Sequence, residues 1–342
     1  MKRQMIVFIL LMTAAFTGNA TILTVNNNTA LTNVSAGQYT SVPPAITAAS
    51  PGDTLYIHGS PTPYPMFVVF GKNLTIIGTG FNPDNQFGFK STISGDVRFI
   101  GTATAGSRVI GLDLVRSLTM SQTQNISISR CKIGERVELG ASVSNVEIIN
   151  NVIIDAVLVG NNSDVTISNN ILRRIVNSNK NSVTVTNNVF HYIISNKVFW
   201  SVTNIVFANN VLQGVNALGC EYCAMNNNMA SDPTVDFGYS MTNSIGDNSV
   251  GVGPLYDVTA SPGFISLSND YTLQPGSPAL APPDGLGGSD GSDVGITGGA
   301  FPFDLVEKAD SPIPQIYFMN MTKSNVPQGD DIQFNVKVRT QN

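Results

Sequence analysis

Several groups able to do chemistry gather in the middle of a chain that is otherwise poor in charge. They are Arg136, Glu138, Asp155, Arg173, Arg174 and His191, with Tyr192 beside the last. Paired carboxylates can hold a divalent cation. An imidazole or a guanidinium within hydrogen-bond reach can take or hold a proton, and arginine forks recognise carboxylates. The same residues also admit a structural reading. Arg136, Asp155 and Arg174 follow one another at about one repeat length, and opposite charges on adjacent strands stabilise a sheet.

The elements that must position them repeat. Val146-Glu-Ile-Ile-Asn-Asn-Val-Ile153, Val165-Thr-Ile-Ser-Asn-Asn-Ile-Leu172, Val183-Thr-Val-Thr-Asn-Asn-Val-Phe190 and Ile205-Val-Phe-Ala-Asn-Asn-Val-Leu212 are versions of one unit. The second Asn falls at 151, 170, 188, 210 and 228, with Cys131 in its place one unit earlier and Asp113 before that. Apolar residues alternate with small polar ones in each unit, as in a strand with one buried face. Units this short cannot stand alone; stacked, they bury a shared core. The Asn pair marks a sharp bend, because Asn tolerates the left-handed backbone, and stacked amides can bond along the axis. Further short strands are expected at 136–139, 156–159, 174–177, 192–195 and 214–217, giving about three per coil. That register predicts one outward column of Ser117, Arg136, Asp155, Arg174, Tyr192 and Gly214. It predicts a second of Thr119, Glu138, Val157, Val176, Ile194 and Asn216.

Composition narrows the class. Charged residues make up 12% of the chain, about half the usual share, so Asn, Ser, Thr and Gly must keep the surface soluble. A net charge of −5 gives nucleic acid no basic face to bind. Lys2 and Arg3, the apolar run from Met5 to Phe16, and Gly18-Asn19-Ala20 read as a signal peptide, so the protein is expected to be secreted or at the cell surface. No later segment predicts a membrane span. Cys131, Cys220 and Cys223 are no disulfide framework, and Cys220-Glu-Tyr-Cys223 lacks the further ligands a zinc site needs.

The strand–Asn–strand units resemble those of the pectate-lyase-like, right-handed parallel β-helix superfamily over residues 24–304. Pro43-Pro-Ala-Ile-Thr-Ala-Ala-Ser-Pro-Gly-Asp-Thr-Leu-Tyr-Ile57 looks like its short N-terminal cap helix and first strand. Asp270-Tyr-Thr-Leu-Gln-Pro-Gly-Ser-Pro-Ala279 looks like a closing segment of secreted bacterial members. The resemblance implies an all-β parallel β-helix with substrate along the outer face of one sheet. It implies an acidic polysaccharide as partner and β-elimination as reaction. Arg174, Arg136 or His191 would then be the base. Arg173, Tyr192, Glu138 and Asp155 would bind sugar, and Asp155 with Glu138 would supply oxygens for Ca²⁺. The polygalacturonase-like motifs of the hydrolase branch are missing from the coils. A non-catalytic surface or adhesion scaffold, its charge ladder structural, is the alternative.

The domain organisation expected is a signal peptide at 1–20, a β-helix with its caps at 21–304, and a hairpin or small appended module at 305–342. Residues 231–304 are expected to fold over the last coil, since open sheet edges invite aggregation.

Overall fold

A computed structural model describes residues 20–27, 36–81, 89–160, 163–177, 182–191, 199–200, 202–203, 205–213, 220–221, 224–230, 271, 273, 275–303, 315–321 and 334–339. The chain coils into a parallel β-solenoid. The strands that precede the Asn bend form one parallel sheet of eleven, from Gln38–Tyr39 and Ile22–Val25 at one end to Ala224–Asn226 at the other. The strands after the bend and the third strands of the coils share a second sheet of thirteen. In Val152–Gly160 and Ile171–Asn177 the two kinds run into a single strand.

The alternation seen in the sequence becomes the inside of the coil. Ile126, Val146, Val165, Val183 and Ile205 stack with no or almost no exposure, and Ile128, Ile148, Ile167, Val185 and Phe207 form the next column. One apolar core cluster runs from Leu23 to Met225. At the bend, Asn150, Asn169, Asn187, Asn209 and Asn227 all take φ between 50° and 58°, the left-handed region that Asn accepts at least cost among residues with a side chain.

Each following Asn turns inward and is fully buried. Asn170 shows the pattern. Its Nδ2 donates to the backbone oxygens of Ile148 (2.7 Å) and Ser168 (2.9 Å). Its Oδ1 accepts from the backbone N (2.8 Å) and Nδ2 (3.0 Å) of Asn151. Asn188, Asn210 and Asn228 repeat this step. Every amide in the ladder is therefore satisfied, as burial demands. Cys131 starts the ladder, its backbone N donating to Asn151 Oδ1. One coil earlier the inward place belongs to buried Leu112, not to Asp113. Asp113 pairs with Lys132, and the Lys132 ammonium reaches it at 3.2 Å.

The N-terminal end is closed by the helix Val42–Ala48, with prolines in its first turn, where no amide hydrogen is needed. The Lys72 ammonium caps the other end, donating to the carbonyls of Ile46, Thr47 and Ala49, where the helix dipole favours a cation. The strand after the helix, Thr54–Ile57, is not the first of its sheet, because Ile22–Val25 precedes it and pairs with it.

Two expectations of register need correction. Val157 points inward and is fully buried; Leu158 takes the outward place beside Val176. Val157 follows inward Val137 because the step between these coils is 20 residues, and a shift of pairing between Ile153 and Ala156 then sets Leu158 beside Val176, since a slip of one residue exchanges the two faces. The strand beside Ile175 and Val176 is Phe199–Trp200; residues 192–195, including Tyr192, lie outside the described ones, as do 214–217.

Residues 231–270 of the stretch expected to fold over the last coil lie outside the described ones. The described residues of 271–303 reach earlier coils as well, at Asn169 and Asn187. They lie along the flank of the coils and cover a second apolar cluster. Val152, Ile171, Val189, Val211 and Met229, the residues directly after the Asn pairs, form its column on the solenoid. Tyr271, Ala279, Val294, Ile296 and Phe303 close over it. One coil before Val152 the same column is polar, with Lys132 and Asp113. Further on, Gln315–Met321 and Phe334–Arg339 pair as an antiparallel hairpin.

Candidate functional site

The expected site residues lie where each coil passes from its post-bend strand into its third strand. Backbone hydrogen bonds step through this corner from Asp155 N to Glu135 O and from Glu135 N to Arg116 O. The side chains there form a charged ladder. Arg174 meets Asp155 at 3.0 Å. Arg116 lies 3.4 Å from Glu135 and 4.0 Å from Asp96, and Arg98 lies 3.4 Å from Asp96. The Ser117 hydroxyl donates to the second Glu135 oxygen at 3.0 Å.

Half of this ladder was expected from the sequence. Asp155 and Arg174 are brought together as expected. Arg136 is not between them: it is exposed on the third strand, opposite Ala156, and makes no ion pair among the described residues. Glu138 is exposed two residues further on, opposite Leu158. The structure thus separates it from Asp155, which is held by Arg174. Among the described residues no group of three His, Cys, Asp or Glu side chains is placed to hold a metal.

Asp96, Arg116 and Glu135 were missed. Their signal was the period itself. Asp96, Arg116, Glu135, Asp155 and Arg174 follow at intervals of 20, 19, 20 and 19 residues, close to the period of the Asn pairs; Arg116 and Glu135 lie one place before Ser117 and Arg136 of the column expected, which Asp155 and Arg174 do occupy.

His191 sits elsewhere. It ends the strand Val189–His191, beside Arg173 on the preceding coil and Gln213 on the next. It has no exposed surface, because Tyr271 of the C-terminal stretch covers it. The two rings meet edge to face at 5.7 Å, and the Tyr271 hydroxyl lies 3.4 Å from His191 Nδ1. Burial, helped by the Arg173 charge, pulls the imidazole down to about 4. It is therefore neutral at neutral pH and shut off from any large substrate.

The outward-pointing asparagines hold this cover. Asn169 Nδ2 donates to the carbonyls of Ile296 (2.9 Å) and Gly298 (2.7 Å). Asn187 Nδ2 reaches Asp293 O. Asn209 Oδ1 accepts from the backbone N and hydroxyl of Ser289, and Asn209 O accepts from Gly295 N. A Cβ at Gly298 would collide with the Asp293 carbonyl, so this turn of the strap depends on glycine.

Fold and site together define the class: a parallel β-solenoid with an amide ladder inside, a charge ladder at one corner and a strap along one flank. Comparison with protein-family models, with curated proteins and with solved structures gave no match.

Proposed function

We propose that this protein is a non-catalytic scaffold, a secreted right-handed β-helix of the pectate-lyase-like kind that serves adhesion or display at the cell surface. The observation that carries this reading is the pairing within the corner ladder. Asp155 is engaged by Arg174 and Glu135 by Arg116, and His191 lies under Tyr271. The groups best suited to acid–base work thus stabilise the fold. The strand–Asn–strand coils and the N-terminal cap helix support the superfamily. The leader-like residues 1–20 and the low charge support export. The test is ultraviolet absorbance on a panel of uronate polysaccharides with and without calcium. No unsaturated product is expected. Product formation that disappears in Arg174→Ala would overturn the proposal.

A second reading, binding of an acidic polysaccharide, rests on Arg136. Its guanidinium stands exposed on the outer wall with no ion pair among the described residues, near exposed Arg98 and Arg116. Asp96, Glu135, Glu138 and Asp155 balance the four arginines Arg98, Arg116, Arg136 and Arg174 on that wall, which is why this reading stands second.

A further inference from the structure

The strap leaves one buried group without a good partner. His191 Nε2 has no hydrogen-bond partner among the described residues, and Nδ1 has only the long contact to the Tyr271 hydroxyl. The ring's surroundings are hostile to a positive charge. Arg173 lies next to it on the neighbouring strand, and its charge acts on the ring. Tyr271 is a neutral phenol. Ile154 and Leu273 pack on the same cluster, and Gln213 follows on the next coil. Arg174, adjacent to Arg173, is turned to Asp155.

We propose that His191 and Tyr271 form an acid-sensitive latch, which fastens the 271–303 strap to the flank of the coils while the imidazole is neutral and lets it lift when the imidazole is protonated. A second cation beside Arg173 at a fully buried position is costly, and lifting the strap restores its solvation. The lowered proton affinity of the closed form agrees in sign: closure disfavours the proton, so the proton disfavours closure. Opening would bare Val152, Ile171, Val189, Val211 and Met229, an apolar column that is otherwise covered. The inward Asn ladder does not involve the strap, so the coils themselves are expected to persist.

Hydrogen exchange of the full chain tests this, read at the strap amides of Ser289 and Gly295, which donate to Asn209 of the coils when the strap is down. After correction for intrinsic rates, their opening equilibrium is expected to rise on the order of 100-fold from pH 7 to pH 4. Amides of the pre-bend sheet serve as the internal control and stay protected. His191→Gln is expected to remove the pH step. Arg173→Gln, which takes away the competing cation, is expected to shrink it without removing it, and covers the case in which the first variant fails to fold. An equal step in His191→Gln, or strap protection that is flat with pH in the unaltered chain, would overturn the proposal.

Discussion

Asn169 and Asn170 are neighbours in the chain and face opposite ways. The first is left-handed and reaches outward, bonding the strap carbonyls of Ile296 and Gly298. The second turns into the coil and joins the amide ladder between Asn151 and Asn188. One dipeptide therefore makes the bend, ties adjacent coils together inside, and anchors a distant segment outside.

The two positions should respond differently to substitution. Asn170→Ala leaves the Ile148 and Ser168 carbonyls and the Asn151 amides short of partners in a dry interior, at about 1–3 kcal/mol for each unsatisfied group. A loss of several kcal/mol in global unfolding by denaturant is expected. Asn169→Gly keeps the left-handed backbone and drops the strap bonds together with the local bond from the Ser168 hydroxyl to Asn169 Oδ1. Its expected signature is faster proteolysis within 271–303 with a nearly unchanged global midpoint. Equal global losses in both variants would remove the division of labour.

What the sequence showed and what it hid have physical causes. The coils were legible because inward positions of a stack must be apolar at period 2, and the bend must accept a left-handed backbone; both leave a mark in every repeat. The corner ladder was half legible, because the step from Arg136 to the next coil is 20 residues and not 19, which sets Arg136 opposite Ala156 and Asp155 opposite Glu135. Leu158 exchanged places with Val157 for the same reason. The strap was missed although its footprint is local. In Val152-Ile153, Ile171-Leu172, Val189-Phe190 and Val211-Leu212, two successive residues are apolar, which means that both faces of the strand are covered. What covers them could not be read, because residues 271–303 are rich in Gly and turns and carry no periodicity.

That footprint gives a second prediction. Ile167 faces the inner core and Ile171 faces the strap, and both are fully buried. If the strap is docked as firmly as the coils are packed, Ile171→Ala and Ile167→Ala should each cost about 2–5 kcal/mol. An exposed face would make the Ile171 substitution nearly silent. Gly298→Ala, which forces a Cβ against the Asp293 carbonyl, should loosen the strap and bring Ile171→Ala toward that silent limit. Chemical denaturation of the three variants, with strap proteolysis alongside, checks this.

Two buried groups bound the pH range of stability from opposite sides. His191 is held at about 4 against an ordinary 6.5. The unfolded chain therefore binds the extra proton, and stability falls as pH drops from about 6.5 to 4, by up to about 3 kcal/mol. Burial pushes the Cys131 thiol up to about 12 from 9.0. Its contribution is complete below pH 9 and is lost as pH rises from there toward 12. Urea midpoints against pH should show a plateau between these limits. His191→Gln should flatten the acid side and Cys131→Ser should leave that side alone. At pH 8 Cys131 should resist alkylation until the chain unfolds.

The Asp155–Arg174 pair separates a structural ladder from a working site. Both side chains keep about a quarter or more of their surface in water, at 25% and 30%, so their attraction is screened and contributes at most about 1 kcal/mol. Asp155→Asn and Arg174→Gln are each expected to lower stability by that amount or less. The double substitution should cost less than the sum of the two, since each single change removes the same pair. Arg136→Ala, with no ion pair to lose among the described residues, should leave the midpoint unchanged. Binding to immobilised uronate polysaccharide is the contrasting measurement. A scaffold whose ladder only holds coils together gives the same weak retention for all of these variants. Retention that falls selectively in Arg136→Ala, and that weakens with salt in the unaltered chain, would instead favour the exposed arginines as a carboxylate-binding surface.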